Sequence, residues 1–99
     1  MTYGRKPLEK TVEKGINRYA KSVGVLAYKF TSPARRNVPD RIYVAPGGMV
    51  GFLEVKRPGK EPTPGQYYEL GRLENQGAYT GWADTVVKGK NFIDGLLLL

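Results

Sequence analysis

The chain has 99 residues with no cysteine and no histidine, and 16 Lys and Arg against 9 Asp and Glu give a formal net charge of +7. Disulfides, thiolate metal sites and imidazole catalysis are thereby excluded, so any hydrolysis must depend on carboxylates, Lys, Tyr and a hard metal ion. The length fits one domain, and the charge favours a polyanionic partner, most often nucleic acid, although charge alone is also compatible with a basic protein that has none.

Apolar residues recur at helical spacing near the start of the chain and predict a first helix over about 7–23, with Gly24 as its stop. Glu9 and Glu13 lie one turn apart on the flank of this apolar stripe. Periodicity alone favours solvated pairing of both with nearby lysines. A strand is predicted over 25–30, after which a polar loop carries two adjacent arginines that suit either phosphate contacts or a solvated surface.

Two strands, 41–45 and 49–56, are predicted on either side of a turn at 46–48. The second strand is apolar on both faces, as is typical of a central strand that is covered on both sides. It nevertheless ends in Glu54 and Lys56. Because burying an unpaired carboxylate costs several kcal/mol, a compensating charge is expected there, from Lys56 and from a metal ion.

The length of the turn decides which residues lie opposite each other. A three-residue loop pairs Ala45 with Met49 and places Asp40 opposite Glu54 on the same face, whereas a two-residue loop places Asp40 opposite Val55. Like charges in direct opposition destabilise a sheet unless a cation lies between them. The three-residue register is therefore also the prediction of a metal site.

A second helix is predicted over 64–76, with Gln66 in its first turn and facing the sheet. The amide of Gln66 needs a partner there, either a group of the site or, through a capping role, the start of the helix itself. A further strand over 78–87, broken by Gly89, and a short last helix from residue 91 complete the chain. This order predicts an α/β fold with a mixed sheet flanked by helices.

Leu96 to Leu99 form an apolar end that is expected to be buried in the core or against a second subunit. No apolar run approaches the ~18 residues of a membrane span, and the N-terminus is polar, so we expect a cytoplasmic protein that does not enter a membrane.

A helix carboxylate, Pro39-Asp40 and Glu54-Val55-Lys56 form a constellation that resembles the PD-(D/E)xK nuclease superfamily. That motif alone is short, but the surrounding segments are more specific. They look like those of the virus-type replication-repair nuclease (VRR-NUC) domain, in particular its stand-alone members from phages and prophages. The match covers roughly residues 8–85 and is carried by these segments: Leu26–Phe30, Ser32-Pro33, Val38–Arg41, Pro46–Gly48, Glu54–Lys60 and Gln66.

The resemblance implies a single nuclease domain over residues 1–99, with a restriction-endonuclease-like αβββαβ core. It also implies a divalent-metal phosphodiesterase that acts on DNA, with Mg²⁺ as the ion and Mn²⁺ as its substitute. The metal ligands and catalytic residues implied by motif are Asp40, Glu54, the Val55 carbonyl, Lys56, Gln66 and a helix glutamate, Glu13 by its distance before Gly24, with Glu9 as the alternative.

Stand-alone members of this family are similar to Holliday-junction resolvases and act as homodimers, which implies branched DNA as the substrate. Two alternatives remain: a nuclease that nicks flap or linear DNA without junction preference, and a non-catalytic basic nucleic-acid-binding module. Basic residues that flank the site in sequence are expected to hold the DNA backbone: Arg35, Arg36, Arg41, Arg57 and Lys60.

Overall fold

The computed structural model describes residues 8–99, which form an α/β fold of three helices and four strands. The order of the elements confirms the prediction. Pro7, the expected first residue of the first helix, lies outside the described residues. The elements are α1 (Glu9–Ser22), β1 (Leu26–Lys29), β2 (Arg41–Val44), β3 (Val50–Val55), α2 (Pro64–Asn75), β4 (Tyr79–Ala83) and α3 (Val86–Leu97).

The sheet is mixed, with strand order β1-β2-β3-β4. The first three strands are antiparallel, and β4 runs parallel to β3, which is central as predicted. The amide of Ala45 donates to the carbonyl of Met49 at 2.8 Å, and β2 and β3 continue in the same register. This confirms the three-residue loop, in which Gly47 and Gly48 take positive φ values of 89° and 84° that side chains rarely adopt.

One face of the sheet is covered by α1 and α3. Val12, Ile16 and other apolar residues of the predicted stripe on α1 are buried there. The ring of Phe92 from α3 lies over Gly51 and Gly81, where an added Cβ would come within 2.8 Å of it. Glycine at both positions therefore lets the helix approach the sheet closely.

The predicted end of the last strand was wrong. That strand stops at Ala83, and α3 begins at Val86, capped by the hydroxyl of Thr85. The β-branched pair Val86-Val87 favours a strand, but the Thr85 cap and tertiary packing start a helix instead. Gly89 does not break an element; it is buried in α3, where an added Cβ would lie 2.3 Å from Ile16.

The second face of the sheet carries α2 beside β4 but remains partly exposed beside β1 and β2. Pairing aligns its apolar residues in two rows across three strands. Leu26 and Tyr28 are 56% and 55% exposed. We call this surface the open sheet face, and its rows are Leu26-Val44-Val50 and Tyr28-Ile42-Phe52.

The Leu-rich end is divided between core and surface. Leu96 is fully buried, whereas Leu98 is 87% exposed and its neighbours Leu97 and Leu99 are exposed as well. The expectation that this end is buried in the core thus holds for its first residue. Among the helices of residues 8–99, none has the length and apolar character needed to cross a membrane.

Candidate active site

Two carboxylates come together where β2 begins and β3 ends. Asp40 directly precedes β2, and the confirmed register carries it opposite Glu54 of β3. Its Oδ2 accepts a hydrogen bond from the amide of Val55 at 2.8 Å, which fixes the Asp40 side chain across the two strands. The structure therefore brings together the two acids that the sequence placed in one site.

Glu54 is a buried acid with an incomplete set of partners. Its residue is 2% exposed, and its Oε1 has no hydrogen-bond partner among residues 8–99. Burial, followed by the negative charge of Asp40, raises the pKa of Glu54 to about 8, while Lys56 acts in the opposite direction. Without an added cation, the site consequently favours the neutral form of Glu54.

Gln66 connects the charged groups to the start of α2. Its Nε2 donates to Glu54 Oε2 at 3.1 Å, and its Oε1 accepts from Lys56 Nζ at 3.2 Å. The same Oε1 accepts from the amide of Thr63 at 2.9 Å, while the Thr63 hydroxyl accepts from the Gln66 amide, so the two form a capping box. Both roles considered for Gln66, as site partner and as helix cap, are present together.

The two helix glutamates, Glu9 and Glu13, differ in their charged surroundings. Burial, and then the negative charge of Asp40, raises the pKa of Glu9, and Glu9 in turn contributes to the raised pKa of Glu54. Glu13 instead forms an ion pair with Arg41, with 3.8 Å between Oε2 and Nε. The electrostatic influence of the acid pair thus reaches the alternative, Glu9, whereas Glu13 faces the cation of Arg41.

A cluster of three or more acidic, His or Cys side chains able to hold a metal ion is not found in the described part of the chain. Asp40 and Glu54 are the two carboxylates that the paired strands bring together. This donor set suits Mg²⁺, which is usually held by one or two carboxylates and keeps several waters. The unpartnered, buried Glu54 Oε1 is the oxygen that such an ion would satisfy.

The basic residues predicted to hold DNA divide into two groups. Arg36, Arg57 and Lys60 are exposed. Arg35 is half-exposed, and its Nε lies 2.9 and 3.0 Å from the two carboxylate oxygens of Glu69. The side chain of Arg41 is only 13% exposed and lies 3.8 Å from Glu13, and its Nε has no hydrogen-bond partner among residues 8–99.

Sequence reasoning missed two acids that hold the surrounding loops in place. Glu69 is buried at 6% exposure and contacts Arg35 and Arg72, which fastens the 31–38 loop to α2. Asp84 accepts from the amide of Gly59 at 3.0 Å and fastens the basic loop that follows β3. Only Asp84 left a local signal, because it stands just before a threonine that can cap a helix.

The class of this protein follows from its fold and from its similarity to known proteins. No family model matches the sequence. Protein p44 of Acyrthosiphon pisum secondary endosymbiont phage 1, whose name describes it as a candidate nuclease, is 46% identical over 65 residues, which cover 66% of this chain and 70% of p44. A solved chain described as a VRR_NUC domain has a TM-score of 0.79 at 25% identity and covers 87% of this chain and 94% of that chain.

These similarities define a nuclease domain. More particularly, the chain belongs to the VRR-NUC family, the one that its sequence segments resemble.

Proposed function

We propose that this protein is a divalent-metal-dependent, structure-selective DNA endonuclease that resolves four-way junctions as a homodimer. The observation that carries the proposal is the convergence of Asp40 and Glu54 from neighbouring strands, with Glu54 Oε1 buried and unpartnered. The proposal takes residues 1–99 as one nuclease domain, and it takes the host-cell cytoplasm as the place of action because the relative p44 is a phage protein.

Asp40 and Glu54 would hold the ion, proposed to be Mg²⁺ with Mn²⁺ as a substitute, and the Val55 carbonyl and a helix glutamate are the further proposed ligands. When bound, such an ion lowers the pKa of a coordinated water and neutralises charge on the phosphate. Of the two helix glutamates, Glu13 is engaged by Arg41 and receives less support.

Lys56 is the proposed catalytic lysine. Its Nζ is held beside the acids by Gln66 Oε1 at 3.2 Å, so its position does not depend on a flexible surface side chain. From there an ammonium group can orient an attacking water or stabilise the negative charge that develops on the phosphate. Gln66 is then a positioning residue, because it acts on the substrate through Glu54 and Lys56.

The loops at 31–38 and 57–60 would hold the DNA backbone next to the site. Arg36, Arg57 and Lys60 are exposed cations there, and Arg35 keeps about half of its surface accessible while it anchors its loop. Phosphate contacts of this kind position the duplex without reading its sequence. Arg41, which lies beside Glu13, is less available for a phosphate contact than these exposed cations.

The open sheet face is the proposed contact between two copies. It presents apolar rows across β1, β2 and β3, and Leu26, Tyr28 and Val50 are 56%, 55% and 39% exposed. Exposed apolar rows of this kind mark interaction surfaces. Because Phe52 of this face stands two residues before Glu54 on the same side of β3, a dimer through it would set two sites at a fixed spacing.

Light scattering tests this contact. Tyr28→Glu should convert the dimer to a monomer, because it would bury a charge between the two copies, whereas removal of the exposed Leu98 and Leu99 should leave the dimer intact. A monomer in the unaltered protein would contradict the dimer, and loss of the dimer only on truncation would assign the contact to the Leu-rich end instead.

Cleavage assays test the enzyme. The protein should cut a synthetic four-way junction with Mg²⁺ and not with EDTA, and Lys56→Ala should abolish cutting while the fold and DNA binding persist. Lys88→Ala, which also removes one lysine but from the Asp84 ion pair, is the matched control. Equal rates on junction, flap and linear duplex would favour the nicking alternative. Binding without any cleavage, unaffected by Asp40→Asn, would favour the non-catalytic module.

A further inference from the structure

The solvent face of α1 is a continuous row of positive charge. Its four basic residues are spaced 4, 4 and 3 along the helix, which brings them onto one side, and all four are exposed. The acids of the same helix, Glu9 and Glu13, lie on a different flank, towards Asp40 and Arg41. We call this row the α1 basic stripe; it consists of Lys10, Lys14, Arg18 and Lys21.

The stripe has no acidic partner in the part of the chain that the structure describes. Among residues 8–99, the ion pairs do not include any of its four members. Lys10 with Lys14, and Lys14 with Arg18, are instead like charges at i and i+4, a spacing that destabilises an isolated helix. A solvated helix surface is more stable when acidic and basic residues alternate at this spacing. A row of basic residues alone is therefore better suited to binding an external polyanion.

A second helix adds to the same surface. Arg18 and Lys90 border an open groove of about 430 Å³ between α1 and α3, with Gly15, Tyr19 and other residues as its lining. The ammonium of Lys90 lies 5.2 Å from the centre of the Tyr19 ring. One carboxylate, Asp94, is also present and accepts a hydrogen bond from the Tyr19 hydroxyl.

We propose that the α1 basic stripe, extended by Lys90, binds the phosphate backbone of a duplex DNA arm that leads away from the active site. This rests on the proposed function, because the stripe starts at Lys10, the neighbour of Glu9, which is a candidate ligand of the site. From Lys10 to Lys21 it runs for roughly 16 Å, since a helix rises about 1.5 Å per residue. One strand of a duplex places one charge per ~3.4 Å of axis, so the stripe covers about five base pairs.

The stripe is separate from the basic loops around the site. It lies on the helix that covers the opposite face of the sheet from the open sheet face, so it stays accessible in the proposed dimer. The loops would hold the DNA at the point of cleavage, whereas the stripe would hold the half-turn of duplex that leads away from it. Removing charges from the stripe should therefore weaken DNA binding without slowing the cleavage step.

The test compares two double variants with the same net charge. Lys14→Gln with Arg18→Gln removes two cations from the stripe, whereas Arg72→Gln with Lys88→Gln removes two that Glu69 and Asp84 already neutralise. Fluorescence anisotropy measures binding of a labelled junction with arms of about 12 base pairs, in EDTA and over a range of salt concentrations.

We expect the stripe variant to bind about tenfold more weakly than the control variant, with the slope of log K against log salt reduced by about 2, or about 1 per lost phosphate contact. In cleavage assays KM should rise while kcat stays unchanged, since the lost contact is uniform binding.

Equal affinity and equal salt slopes for the two variants on long arms would overturn the inference while leaving the proposed function intact. A stripe variant that loses as much in kcat as it does in KM would also overturn it, because the stripe would then act through the fold or the active site rather than through binding. If the unaltered protein neither binds nor cuts DNA, both the proposed function and this inference fail.

Discussion

Replacing Glu54 by glutamine should stabilise the protein while abolishing its activity. Glu54 is buried beside Asp40, and one of its oxygens is unpartnered. Glutamine has nearly the same shape, keeps an oxygen for the Gln66 amide and adds an N–H that can donate to Asp40. At a pH that ionises Glu54, the substitution thus removes a buried like-charge pair, and it leaves the hydrogen bond from Gln66 in place.

The magnitude follows from the pKa of Glu54, which is raised from 4.5 to about 8. Between these two values the folded protein keeps a proton that the unfolded chain releases, so raising the pH favours unfolding. The contribution of the protonated Glu54 to the free energy of unfolding is complete below about pH 4.5 and is lost as the pH rises through 8. At about 1.4 kcal/mol per pH unit the upper limit is about 5 kcal/mol, and relaxation of the site should reduce it to about 2 kcal/mol.

Urea unfolding in EDTA, followed by the fluorescence of the single tryptophan, Trp82, measures the effect. The free energy of unfolding of the unaltered protein should fall from pH 5 to pH 8, and Glu54→Gln should remove most of that fall. Adding Mg²⁺ at pH 8 should restore stability to the unaltered protein but not to the variant. Glu74→Gln, an exposed acid on α2, is the matched control and should change neither value.

A free energy of unfolding that does not change between pH 5 and pH 8, or a Glu54→Gln variant no more stable than the unaltered protein at pH 8, would refute the reasoning. Either result would mean that Glu54 is not held as a destabilised acid in the metal-free protein. The case for a cation site would then lose its electrostatic support.

Three further substitutions test other contacts. Gln66→Ala should cost about 2–3 kcal/mol in urea unfolding and lower the cleavage rate, because Glu54 loses a hydrogen bond in a buried setting and the Thr63 amide loses its side-chain partner in the capping box of α2. Gly89→Ala should cost about 1–3 kcal/mol in the same assay, because its Cβ would lie 2.3 Å from Ile16. Arg35→Ala should cost about 1 kcal/mol and make the 31–38 loop more susceptible to proteolysis, because the loop loses its anchor on α2.

Each has a control of the same kind, on the same helix or loop for Gln66 and Arg35 and on α2 for Gly89. Tyr68→Ala changes an exposed residue of α2 and should leave the cleavage rate unaltered. Gly71→Ala meets no atom within 4 Å and should stabilise α2 by about 0.5–1 kcal/mol, the reverse of Gly89→Ala. Arg36→Ala removes the exposed neighbour of Arg35 and should leave the loop protected. A pair of variants with equal effects would contradict the contact assigned to the first.

Local patterns were sufficient to predict the arrangement of strands around the acid pair. The turn at 46–48 contains two glycines, and the length of a tight turn fixes which residues pair on either side of it. From this single feature the opposition of Asp40 and Glu54 follows. The apolar content of both faces of β3 likewise predicted its central position.

Long-range contacts were not predictable from the same patterns. The start of α3 at Val86 depends on packing of Gly89 against Ile16, which no local propensity records. The choice between Glu9 and Glu13 depends on a rotation of about 40° around α1, less than the uncertainty in placing a helix from its apolar stripe.

The partners of the basic residues were not predictable for a related reason. Composition and position in the chain describe a charge, but they do not say whether a distant acid neutralises it. Arg41 lies beside Glu13 of α1. Arg35 donates a hydrogen bond to Glu69, which lies 34 residues further along the chain.

The shared use of Gln66 has a consequence for turnover. Helix ends open more readily than helix centres, and each opening of the first turn of α2 withdraws one amide from Glu54 and Lys56 at the same moment. The observed rate of cleavage would thereby depend on the equilibrium between the folded and the open first turn of α2. A substitution at Thr63, which contacts neither acid, would lower the fraction of molecules competent to react while leaving the chemical step unchanged in those that remain.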